Sequence, residues 1–248
     1  MIAPIPKTKA EEIFAELANT ISSQEKISDF RLSKYLQEIS NLRKTGVDLG
    51  MLWMCEGYIY SLKNQPKEMK SAFKNAIHFG MHDNISRYNQ AAKYLIFGYF
   101  DEAAEGFALS YDEDAQSNLI RIAMATFDFD KVGSLLVHQK YKDKLLQRKE
   151  VLINRGYDVY KIKEILDILH NIIRKKNICF SMVRQDFGIH DDEGLSFYIE
   201  LDADNLDIIK LILNEYDDIT STEDLFETAS KLTIILLPFT SIEYQMVI

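Results

Sequence analysis

Glycine and proline are scarce, at ten and four in a chain of 248 residues. So few turn-breakers argue against a protein built from many short strands, and long helices are expected instead. Cysteine is nearly absent. Cys55 and Cys179 are far apart and in no metal-ligand spacing, which excludes a disulfide framework and a zinc module and fits a reducing compartment. Long apolar runs are missing as well. The longest, Leu232 to Phe239 broken by Thr233, is far too short to span a bilayer. Met1 to Lys7 has neither the apolar stretch nor the cleavage pattern of a secretion signal. A cytoplasmic protein without membrane association is therefore expected.

Basic residues are lacking in one place above all. From Asn177 onward Arg184, Lys210 and Lys231 stand against fifteen acidic residues, a balance of −12 in a chain whose net charge is −9, so the remainder carries +3. An acidic chain repels phosphate backbones, and nucleic-acid binding is disfavoured. The basic stretch from Lys140 to Lys176 has a balance of +6. It has few interleaved aromatics, so it is expected to be a solvated face or to dock against the acidic C-terminal segment.

Catalytic signatures are missing too. There is no glycine-rich phosphate loop and no Ser or Cys nucleophile in a recognisable elbow. His78 and His82 have a zinc-compatible spacing, but Gly80 breaks the helix between them. His138 and His170 show no partners. His190-Asp191-Asp192-Glu193 concentrates ligand-type side chains in a turn, where consecutive carboxylates point in different directions, so a solvated acidic patch is expected rather than a metal site. The pairs Asp202/Asp204 and Asp217/Asp218 fall at helix ends, where capping explains them. No catalytic residue, metal or cofactor is expected.

What the sequence does have is helical periodicity. Ile13, Phe14, Leu17, Ala18 and Ile21 form one stripe over residues 8–22, and Phe30, Tyr35, Leu36, Ile39 and Leu42 another over 28–44, ended by Gly46. Asp48 is a plausible N-cap for a helix carrying Leu49, Leu52, Trp53, Gly57 and Tyr60. Asn64-Gln65-Pro66 turns the chain into a helix with Met69, Ala72, Phe73, Ala76 and Ile77, which stops near Gly80. Asp83 caps a further helix with Tyr88, Ala91, Ala92, Tyr94 and Leu95. The turn Gly98-Tyr99-Phe100-Asp101 then leads to Ala103 and Phe107. The two hairpins superpose at a period of 34 residues, matching Tyr60 to Tyr94, Met69 to Ala103 and Phe73 to Phe107.

Trp53, Gly57, Tyr60, Phe73 and Ala76 in the first unit, and Gly98 to Ala103 with Phe107 in the second, resemble the tetratricopeptide-repeat family. Glu56, Arg87, Met81 and Ala115 depart from its pattern. A shortened third unit, Asn118 to Val137, repeats the turn as Phe127-Asp128-Phe129-Asp130. The resemblance covers about residues 50–137 and implies stacked hairpins with a concave peptide-binding surface. By position that surface takes Met51, Met54, Tyr58 and Ser61 from the first unit and Ile85, Tyr88, Ala92 and Leu95 from the second.

Beyond Val137, helices are expected over 143–153 and from Asp158 or Tyr160 to Lys175. Then the texture changes. Cys179 to Val183 and Leu195 to Leu201 read as a β-hairpin around a loop at 188–194. A helix follows with Ile208, Ile209, Leu211, Ile212 and Tyr216. Next come a short helix behind the capping box Thr220 to Asp224 and a buried strand, Leu232 to Leu237. The expected fold is mainly α: an α-α superhelix of tetratricopeptide-like hairpins over 1–176, then a small acidic α+β domain over 177–248 in the order β-β-α-α-β.

Three functions compete. The first is a non-enzymatic adaptor that binds a protein or peptide in the groove of 50–137. The second is an inhibitor or immunity-type protein that sets its acidic C-terminal segment, including Asp191, Asp192 and Glu193, against a basic partner such as a nuclease. The third is an unrecognised enzyme in the C-terminal domain.

Overall fold

The structure, a computed structural model, describes residues 8–22, 27–110, 112–190, 194–203 and 206–239. It is mainly helical, with a small sheet near its C-terminal end. The chain divides into two compact units between Ser86 and Arg87, so Asn177 lies inside the second.

The first unit holds α1 (Lys9–Ser22), α2 (Asp29–Arg43), α3 (Leu49–Leu62) and α4 (Pro66–His78). Its core draws Ala10, Ile13 and Leu17 from α1, Leu32, Tyr35 and Ile39 from α2, and Leu52, Cys55 and Ile59 from α3. Ser28 starts α2 by accepting the Arg31 backbone N–H at 3.3 Å. Phe30 does not join the buried stripe and is 83% exposed. The buried side of α2 runs Leu32, Tyr35, Ile39, and Phe30 is two residues out of phase with it, on the far side of a 3.6-residue helix. Asp48 stands before α3 with left-handed backbone (φ 50°) and makes no side-chain cap bond. The α3–α4 turn matches its sequence signals, with Asn64 left-handed at φ 53° and Pro66 at the first helical position. Gly57 lets the two helices close, because a Cβ there would collide with the Phe73 ring.

The chain enters the second unit along α5 (Asn84–Ile96), whose start is capped where Ser86 N–H donates to Asp83 Oδ1 at 2.9 Å. There follow α6 (Phe100–Ala108), α7 (Glu113–Thr126), α8 (Phe129–Leu135), α9 (Gln139–Asn154) and α10 (Val159–Lys175). Helix α9 begins four residues before the expected Asp143, since its basic first turn carries no acidic start signal. Gly106 brings α6 against α5, where an added Cβ would sit 2.7 Å from that of Ala91. The turns before α6 and α8 share left-handed backbone, at Gly98 (φ 70°) and Phe127 (φ 57°). A bulky residue in that region is strained. The Phe127 ring offsets the strain by packing on Phe129, Phe187 and Phe197 at centroid distances of 5.1, 5.1 and 5.0 Å.

The sheet is formed by β1 (Phe180–His190), β2 (Gly194–Asp202) and β3 (Leu232–Phe239), with α11 (Leu206–Thr220) and α12 (Glu223–Ala229) connecting β2 to β3. Strand β1 runs farther than expected. Gly188, Ile189 and His190, read from sequence as loop, pair with Ser196, Leu195 and Gly194. The hairpin is antiparallel, and β3 pairs with β2 in parallel, so the order is β1-β2-β3. A parallel return needs a crossover, which α11 and α12 supply. Leu195, Phe197, Ile199 and Leu201 of β2 are buried, and their partners Leu232, Ile234, Leu236 and Pro238 of β3 lie on the same face. Strand β3 is not the buried strand expected. It is the sheet's edge, with Thr233 and Leu237 exposed, because nothing among the described residues pairs beyond it. Helix α10 buries Ile162, Ile165, Leu166, Leu169 and Ile173 and packs on α11 and α12. Thr222 occupies the N-cap of α12 without forming the expected side-chain cap bond.

Candidate functional site

The residues assigned by position to a helical groove fall into different surroundings. In the first unit Met54 and Tyr58 are buried. The Tyr58 ring lies edge-on between Phe14 of α1 and Phe73 of α4, at 5.7 and 5.8 Å. Burial pushes its hydroxyl pKa well above the ordinary tyrosine range. Helix α1 thus covers the face of α3 that an open groove would expose. Met51 and Ser61 are half-buried, and the Ser61 hydroxyl donates to the Tyr58 carbonyl at 2.7 Å. Ile85 is 74% exposed. In the second unit Ala92 and Leu95 are buried. Tyr88 is half-buried, accepts a hydrogen bond from Asn118 Nδ2 at 3.1 Å and meets Phe107 edge-on at 5.1 Å. Asp191, Asp192 and Glu193 lie outside the described residues.

Several polar groups are buried. Glu56, the departure from the repeat pattern, ion-pairs with Arg43 Nη2 at 2.6 Å and accepts the Tyr60 hydroxyl at 3.1 Å. Arg43 in turn stacks on Trp53 at 4.0 Å. Burial raises the Glu56 pKa and the Arg43 charge opposes that rise. His170 sits between Phe100 and Phe180 at 4.7 and 5.5 Å, and neither ring nitrogen has a hydrogen-bond partner among the described residues. Burial, reinforced by Arg174 and Lys163, depresses its pKa to about 3. Burial also lowers Lys93 to about 8 and raises the Cys55 and Cys179 thiols to about 12. Such thiols are protonated and poorly nucleophilic. His78 closes α4 against Phe79, and Gly80 follows in a left-handed conformation. Among the described residues no cluster of three or more His, Cys, Asp or Glu side chains could hold a metal ion. No described helix is long and apolar enough to cross a membrane.

The basic stretch is partly neutralised at home. Lys140 pairs with Glu113, Lys149 with Asp130 at 2.5 Å and Lys163 with Asp167 at 2.6 Å. Lys176 reaches Glu215 of α11 at 2.9 Å.

One recess combines apolar lining with an open structural edge. Leu213 and Tyr216 of α11, Phe226 and Ala229 of α12, and Leu232 and Ile234 of β3 line a cleft of about 450 Å³, with Asp217, Thr220, Ser221 and Ser230 around it. Among the described residues no β1 or β2 side chain lines it, and β3 supplies Leu232 and Ile234. Phe226 is 60% exposed, a large apolar side chain left at its mouth. The Tyr216 hydroxyl is buried without a hydrogen-bond partner among the described residues. Thr220 Oγ1 donates its hydrogen to the Tyr216 carbonyl at 2.9 Å, and the Thr220 side chain opposes the rise in the Tyr216 pKa that burial causes. Burial lifts the Tyr216 pKa to about 12, so the group is a neutral phenol. Sequence reading missed this site. The sequence at Leu232 and Ile234 has the pattern of a buried strand, and Phe226 carries no signal beyond its place in a short helix.

Comparison with family models, with curated proteins and with solved structures finds no match.

Proposed function

We propose that the chain is a non-enzymatic protein-binding scaffold that receives a partner segment in the cleft between α11, α12 and β3. The observation that carries this reading is the cleft itself: about 450 Å³, with Leu213, Tyr216, Phe226, Ala229, Leu232 and Ile234 among its lining, a buried phenol and an exposed phenylalanine. This is the composition of a recognition site, mostly apolar with a few polar groups that fix orientation. The pairs α3–α4 and α5–α6 enter the reading as tetratricopeptide-like hairpins, each taken by itself. Paired helices, close approach at Gly57 and Gly106, and the repeated left-handed turns at Gly98 and Phe127 support that part. The burial of Met54, Tyr58, Ala92 and Leu95 favours the cleft over the inner face of the hairpins as the binding surface. The reading places the protein in the cytoplasm, in keeping with Cys55 and Cys179 forming no disulfide.

The acidic excess after Asn177 favours a second reading, an inhibitor or immunity-type protein that covers a basic site. That reading requires binding to fall steeply with added salt.

The test is site-specific photo-crosslinking in the native cell, with a photoreactive phenylalanine analogue placed at position 226 or at position 85. A defined protein adduct from position 226 and none from 85 is expected. The reverse result would move the binding surface to the helical hairpins, and silence at both would end the scaffold reading.

A further inference from the structure

Strand β3 contributes Leu232 and Ile234 to the lining of the cleft beside it. Strand β3 is Leu-Thr-Ile-Ile-Leu-Leu-Pro-Phe, with no charge along its length. Among the described residues β2 occupies one edge and no strand occupies the other. Alternate backbone N–H and C=O groups of a strand point to each side, so the outer edge presents a row of donors and acceptors that no strand among the described residues uses. Proteins usually blunt such an edge with lysine, an early proline or a bulge. Here Pro238 comes only at the seventh position, and the nearest lysine, Lys231, is tied to Glu227 at 2.9 Å before the strand starts.

The surroundings narrow the occupant. Leu232 and Ile234, two residues apart on one face of β3, form one wall of the cleft, and Leu213, Tyr216, Phe226 and Ala229 form the other. Side chains of an added strand also project to one face at every second residue, so an extended peptide on the edge would place its i and i+2 residues into that recess. The local charge is negative. Asp217 lines the cleft, Asp218 and Asp224 are exposed at the adjoining helix ends, and Lys231 and Lys161 both act on Glu227 of α12.

We propose that β3 accepts an extended peptide as a fourth strand, with two alternate apolar side chains in the cleft and Lys or Arg residues at its flanks facing Asp217, Asp218 and Asp224. The inference rests on the scaffold reading and specifies its ligand. Main-chain hydrogen bonds supply affinity, and the cleft and the charged rim supply selectivity. A second copy of the chain is disfavoured as occupant, because pairing β3 with β3 would bring two acidic rims together.

The experiment uses the full-length chain and fluorescence polarisation of a fluorescein-labelled peptide, Lys-Lys-Val-Leu-Val-Leu-Lys-Lys. It is compared with a counterpart flanked by glutamates and with one N-methylated at alternate peptide nitrogens, which removes edge hydrogen bonds while keeping the side chains. Binding of the first peptide is expected, weakened roughly tenfold or more by glutamate flanks, by N-methylation and by Phe226→Ser. Equal binding of the N-methylated peptide would overturn strand addition. Equal binding of the glutamate-flanked peptide would overturn the charge assignment. A concentration-dependent dimer in sedimentation, dispersed by Leu237→Lys, would give the edge to a second copy and overturn the proposal. If no peptide binds while position 226 still forms its crosslink, this inference fails and the scaffold reading stands. Failure of both removes both.

Discussion

Tyr58 and Phe226 are both aromatic residues on amphipathic helices, yet one lies in the core of the first unit and the other is left at the surface of the second. Helix α3 is roofed by α1 on one side and packed on α4 on the other, so Tyr58 meets Phe14 and Phe73. Helix α12 is a seven-residue helix that buries Leu225 and leaves Phe226 outside, above a cleft whose other wall is an edge strand. Helical periodicity tells which face is apolar. It does not tell what covers that face, which is decided by elements remote in sequence. The hairpin repeat points to a groove of which the structure buries Met54, Tyr58, Ala92 and Leu95 and leaves Ile85 exposed, and it gives no hint of the recess over β3.

The largest effect that would break this comparison is at Tyr58. Tyr58→Ala leaves a cavity among α1, α3 and α4 and is expected to cost about 3–4 kcal/mol in urea denaturation. A loss under about 0.5 kcal/mol is what an exposed groove residue would give. Next is Phe127→Gly, which relieves the left-handed strain but removes the ring from Phe129, Phe187 and Phe197. A net loss of about 2–3 kcal/mol is expected, and a gain would mean that the strain outweighs the aromatic packing.

His170 gives a pH signature. Its folded pKa of about 3 lies below the ordinary value of 6.5. Above pH 6.5 both states are neutral there and the group contributes no pH dependence. As pH falls below 6.5 the unfolded chain takes up a proton that the folded chain refuses, so stability drops until the folded pKa is reached. His170→Leu should therefore gain about 2 kcal/mol more over the natural chain at pH 5 than at pH 8. An equal effect at both pH values would mean that His170 is solvated. Smallest is Tyr216→Phe, which deletes a buried hydroxyl that has no hydrogen-bond partner among the described residues and should raise stability by up to about 1 kcal/mol. A loss of that size would mean the hydroxyl is bonded.

Much of the fold was legible because its signals are local. Asn64-Gln65-Pro66, Asp83, Gly98 and Asp158 mark boundaries by backbone preference or capping, and the structure uses each of them. Asp48 and Thr222 look equally good as caps but form no cap bond, since side-chain orientation depends on neighbours that a sequence window does not contain. The composition of β3 identified a strand. Its place at the edge follows from pairing with β2 alone, a long-range choice. The candidate site was the least legible part. Leu213, Tyr216, Phe226, Leu232 and Ile234 come from three elements, and none carries a motif.

The most direct test is residue-resolved amide hydrogen exchange of the full-length chain with and without the lysine-flanked peptide. New protection confined to β3, at alternate positions among Thr233 to Leu237, is the expected result. Protection along α3 and α5 with β3 unchanged would contradict the account and return the binding surface to the helical hairpins.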